Sequence, residues 1–130
     1  MKIKKDGIIV DTSVFVSFLR GNENAYPVKN LLEEDRVYIT GIIIAELIQG
    51  LKNTKEENYL IDLLRALNII EITTDMWIKA GKLSLELRRK GINIPLTDMA
   101  IGALALEHNM QIYTFDKHFN SIPGVRIYVP

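Results

Sequence analysis

The chain has 130 residues, 48% of them apolar, which suits a single domain with one hydrophobic core. Lys and Arg together number 16, as do Asp and Glu, so the net charge is zero, unlike that of a strongly basic nucleic-acid binder. Without cysteine, the chain has no disulfide framework, cysteine-ligated zinc site or cysteine nucleophile. No apolar run reaches the roughly 18 residues of a membrane span, and no signal-peptide pattern follows the charged N-terminal residues. We therefore expect a soluble cytoplasmic protein.

Short strands alternate with helices along the first half of the chain. The β-branched run Ile8–Val10 is typical of a buried strand, and Asp11, Thr12 and Ser13 follow it as helix-starting residues. The run Ile42–Leu51 is apolar almost all round, which predicts a buried helix. The elements predicted here are a strand at 8–10, helices at 14–19 and 26–34, a strand at 37–39, and helices at 42–51 and 55–67.

The same alternation continues through the second half. Thr73 or Thr74 caps a long helix that ends near Gly91, and Asn109 suits the left-handed end of the next helix. The elements predicted here are a strand at 69–72, helices at about 74–90 and 97–108, a strand at 111–114, a turn at 116–119 and a strand at 125–129. This order favours an α/β fold, a three-layer α/β/α arrangement with a mostly parallel central sheet, in one domain spanning residues 1–130.

Four acidic residues follow or interrupt apolar stretches: Asp11, Glu46, Asp98 and Asp116. A carboxylate beside a buried segment is costly unless something compensates its charge. In a parallel sheet, functional groups gather beyond the carboxyl ends of the strands, and Asp11 and Asp116 follow two predicted strands. If the four side chains converge there, they form an oxygen-ligand site that suits Mg²⁺ or Mn²⁺.

Each acid also has a simpler structural explanation. Asp11 alone would be a helix N-cap, Asp98 a first-turn residue favoured by the helix dipole, and Asp116 a turn residue. Glu46 is the hardest to explain this way, because it interrupts an apolar helix and has no Lys or Arg at helical spacing. The joint pattern therefore favours a common site.

Such a site has a defined chemistry. Carboxylates a few ångströms apart raise one another's pKa, and a divalent cation reverses this by favouring their ionised forms. A metal-bound water is a nucleophile, and the same ion neutralises a phosphate oxygen. Three hydroxyl residues, Thr12, Ser13 and Thr114, flank the expected crevice and are placed to hold the carboxylates or metal-bound waters.

Four sequence elements together resemble a PIN domain, and within that family the VapC-type toxins of bacterial and archaeal toxin–antitoxin pairs. They are Val10-Asp11-Thr12-Ser13-Val14, Ala45-Glu46-Leu47, Thr97-Asp98-Met99-Ala100-Ile101-Gly102-Ala103 and Thr114-Phe115-Asp116-Lys117-His118-Phe119. The resemblance extends from the first strand to the last predicted turn.

The resemblance implies an endoribonuclease that depends on Mg²⁺ or Mn²⁺, with Asp11, Glu46, Asp98 and Asp116 as its catalytic quartet. Of these, Asp11, Asp98 and Asp116 are the implied metal ligands, and Glu46 is a ligand or orients the attacking water. It also implies a homodimer and inhibition by a VapB-like antitoxin. Supporting hydroxyls are expected at Thr12, Ser13 and Thr114, and candidate contacts to RNA phosphates at Arg20, Lys117 and His118.

Alternative functions use the same residues. An aspartyl-phosphate phosphatase needs a second Asp two positions after Asp11, where this chain has Ser13. A PIN-fold nuclease outside toxin–antitoxin systems, for RNA processing or DNA cleavage, would carry the same acids. A PIN-like module that only binds would not need all four, so their presence favours an enzyme.

Overall fold

The centre of the fold is a sheet of five parallel strands, seen in a computed structural model that describes residues 2–130. The strands are β1 Ile8–Val10, β2 Val37–Ile39, β3 Asn68–Ile69, β4 Gln111–Tyr113 and β5 Arg126–Ile127. Their order across the sheet is β3-β2-β1-β4-β5. The neighbours β1 and β4 lie in register, with Ile9 opposite Ile112 and Val10 opposite Tyr113.

Helices cover both faces of this sheet. They are α1 Thr12–Leu19, α2 Pro27–Glu33, α3 Gly41–Gln49, α4 Glu57–Arg65, α5 Thr74–Arg89 and α6 Leu96–His108, with short 3₁₀ helices at Glu23–Ala25, Thr54–Glu56 and Lys117–Ser121. Connections between parallel strands are right-handed, so α1 to α4 lie on one face and α5 and α6 on the other. Packing of α3 against α1 and α4, and of α5 against α6, agrees with this division. The predicted three-layer α/β/α fold is therefore confirmed.

The core lies between the sheet and the two helical layers. Ile9, Val10, Ile39 and Ile112 are fully buried, as expected for strands covered on both faces. Helix α6 is buried along Met99–Ala105, where small residues allow close packing. At Gly102 an added Cβ would lie 2.8 Å from Ile122 Cδ1, so only glycine fits there without a shift of Ile122. This packing fixes the start of α6 relative to the sheet.

Several local predictions are confirmed. The Thr73 hydroxyl accepts a hydrogen bond from the Met76 amide at 3.3 Å and caps α5. Asn109 has a φ of 52° and ends α6 in the left-handed region. Gly91 has a φ of 80° just after α5, a conformation that L side chains rarely adopt.

Other predictions are wrong in extent. The strands predicted at 69–72 and 125–129 are two residues long each, because β3 and β5 lie at the sheet edges and have one neighbour apiece. Helix α3 is not buried all round: Ile43 and Leu47 face the core, whereas Glu46 is exposed. Its outer face lies open, because the helices that pack most closely against it, α1 and α4, cover its other sides.

Among residues 2–130, no helix combines the length and the apolar character needed to cross a bilayer.

Candidate metal and active site

Asp11 lies where β1 ends and α1 begins. The connection after β1 runs towards β2, and the connection after β4 runs to the opposite side, towards β5. This topological switch point is where open α/β sheets place their functional crevice. Asp11 occupies the N-cap position, but its side chain makes no capping hydrogen bond. Its Oδ2 instead accepts hydrogen bonds from Ser13 Oγ and Thr114 Oγ1, both at 2.9 Å. The N-cap explanation therefore does not account for Asp11, which is 5% exposed.

The two hydroxyls that hold Asp11 are themselves oriented by the backbone that follows β4. The Phe115 amide donates to Ser13 Oγ at 3.0 Å, and the Asp116 amide donates to Thr114 Oγ1 at 2.9 Å. Because each hydroxyl accepts from an amide, its proton is free to point at Asp11. The end of β4 thus fixes one oxygen of Asp11, and Thr114 connects Asp11 to Asp116.

Asp98 and Asp116 approach the same edge from different elements. Asp98 lies in the first turn of α6, and Asp116 caps the 3₁₀ helix at 117–121 by accepting from the His118 amide at 2.9 Å. The His118 ring lies between the two carboxylates, with Nδ1 at 3.1 Å from Asp98 Oδ2 and at 3.2 Å from Asp116 Oδ1. The structure therefore brings Asp98 and Asp116 together around one imidazole nitrogen.

The charges of this cluster act on one another. Burial raises the pKa of Asp98 above its ordinary value; the hydrogen bond with His118 lowers it, and the negative charges of Asp116 and Asp11 raise it again. Asp116 and Asp11 therefore both contribute negative charge at Asp98. A bound cation would favour their ionised forms.

Glu46 joins the site through α1. Its Oε1 accepts a hydrogen bond from Thr12 Oγ1 at 2.7 Å, and Thr12 is the residue directly after Asp11. This bond ties the middle of α3 to the start of α1. Glu46 is exposed, so the part of its carboxylate that Thr12 does not hold faces solvent. The prediction that it lies on a buried helix is wrong.

The donor set fits a divalent cation. Within residues 2–130, one ligand atom each from Asp98, Asp116 and His118 lie within 4.8 Å of one another. Asp11 is not part of that set, but its negative charge acts on Asp98, so it would add to the attraction for a cation held by Asp98 and Asp116. Mg²⁺ usually keeps several waters, which suits this looser spacing. The side chains form this cluster without an ion, but their uncompensated negative charge favours the binding of a cation.

The three candidate RNA contacts lie in different settings. Lys117 is exposed next to Asp116. Arg20, at the C-terminal end of α1, lines a groove between α1, α3 and α4. His118 is 48% exposed, and its Nδ1 points at the acids. The approach of the His118 ring to Asp98 is the feature that sequence reasoning missed; its position two residues after Asp116, in a predicted turn, was the available signal.

Comparison with known proteins agrees with this geometry. Residues 8–125 match the PIN domain family. The protein is 30% identical over 125 residues to Ribonuclease VapC1 of Methanocaldococcus jannaschii, covering 93% of this chain and 86% of that one. VapBC-1 from nontypeable Haemophilus influenzae has a TM-score of 0.76 and 26% identity, with 93% and 96% of the chains covered. A toxin–antitoxin complex from Klebsiella pneumoniae has a TM-score of 0.70 and 28% identity, with 92% and 95% covered. With its acids placed at the ends of β1 and β4 and its match over residues 8–125, this chain belongs to the PIN domain family.

Proposed function

We propose that this protein is an endoribonuclease that depends on Mg²⁺ or Mn²⁺ and serves as the toxin of a toxin–antitoxin pair, residues 1–130 acting as one PIN domain. The observation that carries the proposal is the approach of Asp98 and Asp116 around His118 Nδ1, beside Asp11, which Thr114 links to the Asp116 amide. The names of similar proteins support the substrate and the class of system.

Each acid has a distinct task in this proposal. Asp11, Asp98 and Asp116 hold the ion directly or through its waters. When bound, the ion supplies an activated water and neutralises charge on a phosphate oxygen. Glu46, fixed by Thr12, accepts a hydrogen bond from the attacking water and orients it.

The surrounding hydroxyls set the geometry before substrate arrives. Ser13 and Thr114 hold one oxygen of Asp11, which keeps the carboxylate in a single orientation. Lys117, exposed beside Asp116, is placed to contact a phosphate of the RNA strand. Without the ion, the acidic edge repels a polyanion, so binding of RNA and its cleavage both require metal.

The partner in this proposal is a VapB-like antitoxin. The structure has an apolar groove of about 580 Å³ between α1, α3 and α4, lined by Leu19, Leu47 and Tyr59 among others. Arg20, Lys52 and Lys55 also line it, so it suits a segment that carries both apolar and acidic residues. We assign this groove to the antitoxin because a similar chain occurs in a toxin–antitoxin complex.

A homodimer is also part of the proposal. Helix α5 exposes three large apolar side chains, Trp77, Ile78 and Leu85. Ile78 and Leu85 are seven residues apart and share one face of the helix. Exposed apolar groups on one helix face favour a second copy as the partner.

The test is cleavage of labelled RNA and DNA oligonucleotides of the same sequence by the purified protein. We expect Mg²⁺ or Mn²⁺ to support RNA cleavage and EDTA to abolish it. Asp11→Asn should lose activity, because the amide keeps an oxygen for Ser13 and Thr114 but lacks the charge. The matched control is Asp6→Asn, the same change just before the other end of β1, where Asp6 pairs with Arg36 at the surface.

The outcomes separate the candidate functions. Equal cleavage by Asp11→Asn and its parent would refute the site. Cleavage of DNA in preference to RNA would support a PIN-fold nuclease and would refute its assignment as a ribonuclease. Absence of cleavage with either metal would favour a binding module.

A further inference from the structure

We propose that His118 is a direct ligand of the metal ion through Nδ1, so that the ion has one nitrogen ligand beside the carboxylate oxygens. The consequence is a preference for Mn²⁺ and later first-row ions over Mg²⁺. This inference rests on the proposed function and adds a residue to its ligand set.

The first argument is the direction of the ring. A histidine in an exposed turn ordinarily turns to solvent, whereas Nδ1 of His118 lies 3.1 Å from Asp98 Oδ2 and 3.2 Å from Asp116 Oδ1. The ligand atoms of these three residues all lie within 4.8 Å of one another. The nitrogen therefore belongs to the same group of possible ligand atoms as the two carboxylates.

The second argument is the spacing of the donors. Two ligands at right angles, each about 2.1 Å from an octahedral ion, lie about 3.0 Å apart. The two separations from Nδ1 are close to that value. An ion can therefore occupy the space between His118 Nδ1 and the two carboxylate oxygens after small side-chain movements.

The third argument is that the backbone holds the ring in place. The His118 amide donates a hydrogen bond to Asp116 Oδ1 at 2.9 Å, which fixes the backbone of His118 beside Asp116. The next residue, Phe119, is fully buried, and it anchors the 3₁₀ helix against the core. The His118 side chain therefore starts from a fixed point beside the ion.

Ligand chemistry explains the expected preference. Mg²⁺ takes oxygen ligands, whereas the affinity of a nitrogen-containing site rises along the first-row ions from Mn²⁺ to Cu²⁺, so one imidazole favours Mn²⁺ over Mg²⁺ and the later ions more strongly. Binding uses the neutral ring with its proton on Nε2, which leaves the Nδ1 lone pair for the ion.

The experiment is pulsed electron paramagnetic resonance of the full chain loaded with Mn²⁺, after removal of any histidine tag. Nitrogen-14 modulation from a directly bound imidazole reports the ligand without any measurement of activity. The chain has two histidines, so a signal comes from His118 or His108. We expect modulation in the parent and in His108→Gln, and none in His118→Ala.

Affinity measurements by calorimetry extend the test. In His118→Ala, the Mn²⁺ dissociation constant should rise about tenfold or more, and that of Mg²⁺ by less. His118→Asn places an amide oxygen near the position of Nδ1, so it should recover Mg²⁺ binding without the nitrogen signal.

The outcomes distinguish this inference from the function on which it rests. If the parent binds Mn²⁺ without nitrogen modulation, and Asp98→Asn abolishes that binding, His118 is not a ligand. The proposed function still stands in that case. Modulation that survives in His118→Ala overturns the ligand role of His118 as well. If Asp98→Asn binds Mn²⁺ as the parent does, both proposals fail.

Discussion

Thr114 is the residue at which removal of a single hydroxyl should have the clearest effect. Its Oγ1 donates to Asp11 Oδ2 and accepts from the Asp116 amide, both at 2.9 Å. Thr114→Val keeps the shape of the side chain but removes both hydrogen bonds. It therefore separates the support of the acids from the acids themselves.

The expected loss follows from these two bonds. A hydrogen bond to a charged group contributes about 1.5–3 kcal/mol, and one between neutral groups about 0.5–1.5 kcal/mol. Thr114 is half-buried, so water can replace part of this, and we expect a loss of about 2 kcal/mol. With an unfolding entropy of about 2.1 cal/mol/K per residue, the 130-residue chain should melt about 7 °C lower.

The assay is thermal unfolding followed by circular dichroism in EDTA, then titration with Mg²⁺ and Mn²⁺. Because Thr114 orients Asp11, a metal ligand in the proposed function, the variant should also bind metal about tenfold more weakly. Thr114→Ser keeps the hydroxyl and serves as the control. Equal melting temperatures for Thr114→Val and Thr114→Ser would refute the reasoning.

A double-mutant cycle isolates the contact with Asp11. In the Asp11→Asn background the acceptor is neutral, so Thr114→Val should cost less than it does in the parent. We expect a coupling of about 1 kcal/mol, within the range found for residues in direct contact. Additive effects would show that the hydroxyl acts on Asp116 alone.

Three further predictions concern the charge, the partner and the assembly. Because the pKa of Asp98 is raised, the folded protein binds the proton of the Asp98 carboxyl more tightly than the unfolded chain does. Stability is therefore lost as the pH rises from the ordinary pKa of 3.8 through the pKa of the folded protein. In EDTA, Asp98→Asn should therefore melt above its parent at neutral pH, with an advantage that disappears in acid; an advantage that does not vary with pH would contradict this. Leu19→Glu, in the apolar groove, should weaken co-purification with the proposed antitoxin, sought in the neighbouring reading frame, at least tenfold, while the proposed metal-dependent cleavage persists. Undiminished capture would remove the groove assignment. Ile78→Glu on α5 should convert a dimer to a monomer in sedimentation velocity at micromolar concentration, and a parent that sediments only as a monomer would exclude the dimer.

The order of the elements was predictable because strand and helix periods differ in sequence. The runs at 8–10 and 37–39 are β-branched or aromatic and are strands in the structure. The edge strands were predicted too long, because their apolar pattern continues beyond the residues that pair with a neighbouring strand. The extra apolar residues pack against the protein without ladder hydrogen bonds. Strand length at an edge depends on the neighbour, which a local pattern does not contain.

The placement of Asp11 and Asp116 at one edge was predictable from topology, since residues after neighbouring parallel strands share an edge, whereas Asp98 begins a helix and its position depends on the loop before it. The exposure of Glu46 was not predictable, because an apolar helix pattern does not show how many neighbours the helix has. The direction of the His118 ring was also beyond sequence reasoning: it depends on the rotation of a 3₁₀ turn fixed by the burial of Phe119.

The strand order has a consequence for biosynthesis. β4 lies beside β1 in the sheet but is made after all six helices, and it is followed directly by Thr114, whose hydroxyl holds Asp11, and by Asp116. A nascent polypeptide emerging from the ribosome therefore lacks a central strand and one acid until β4 and the loop after it have left the exit tunnel. Under the proposed function, the ribonuclease site is therefore incomplete during most of the protein's synthesis, which leaves time for the proposed antitoxin to be made.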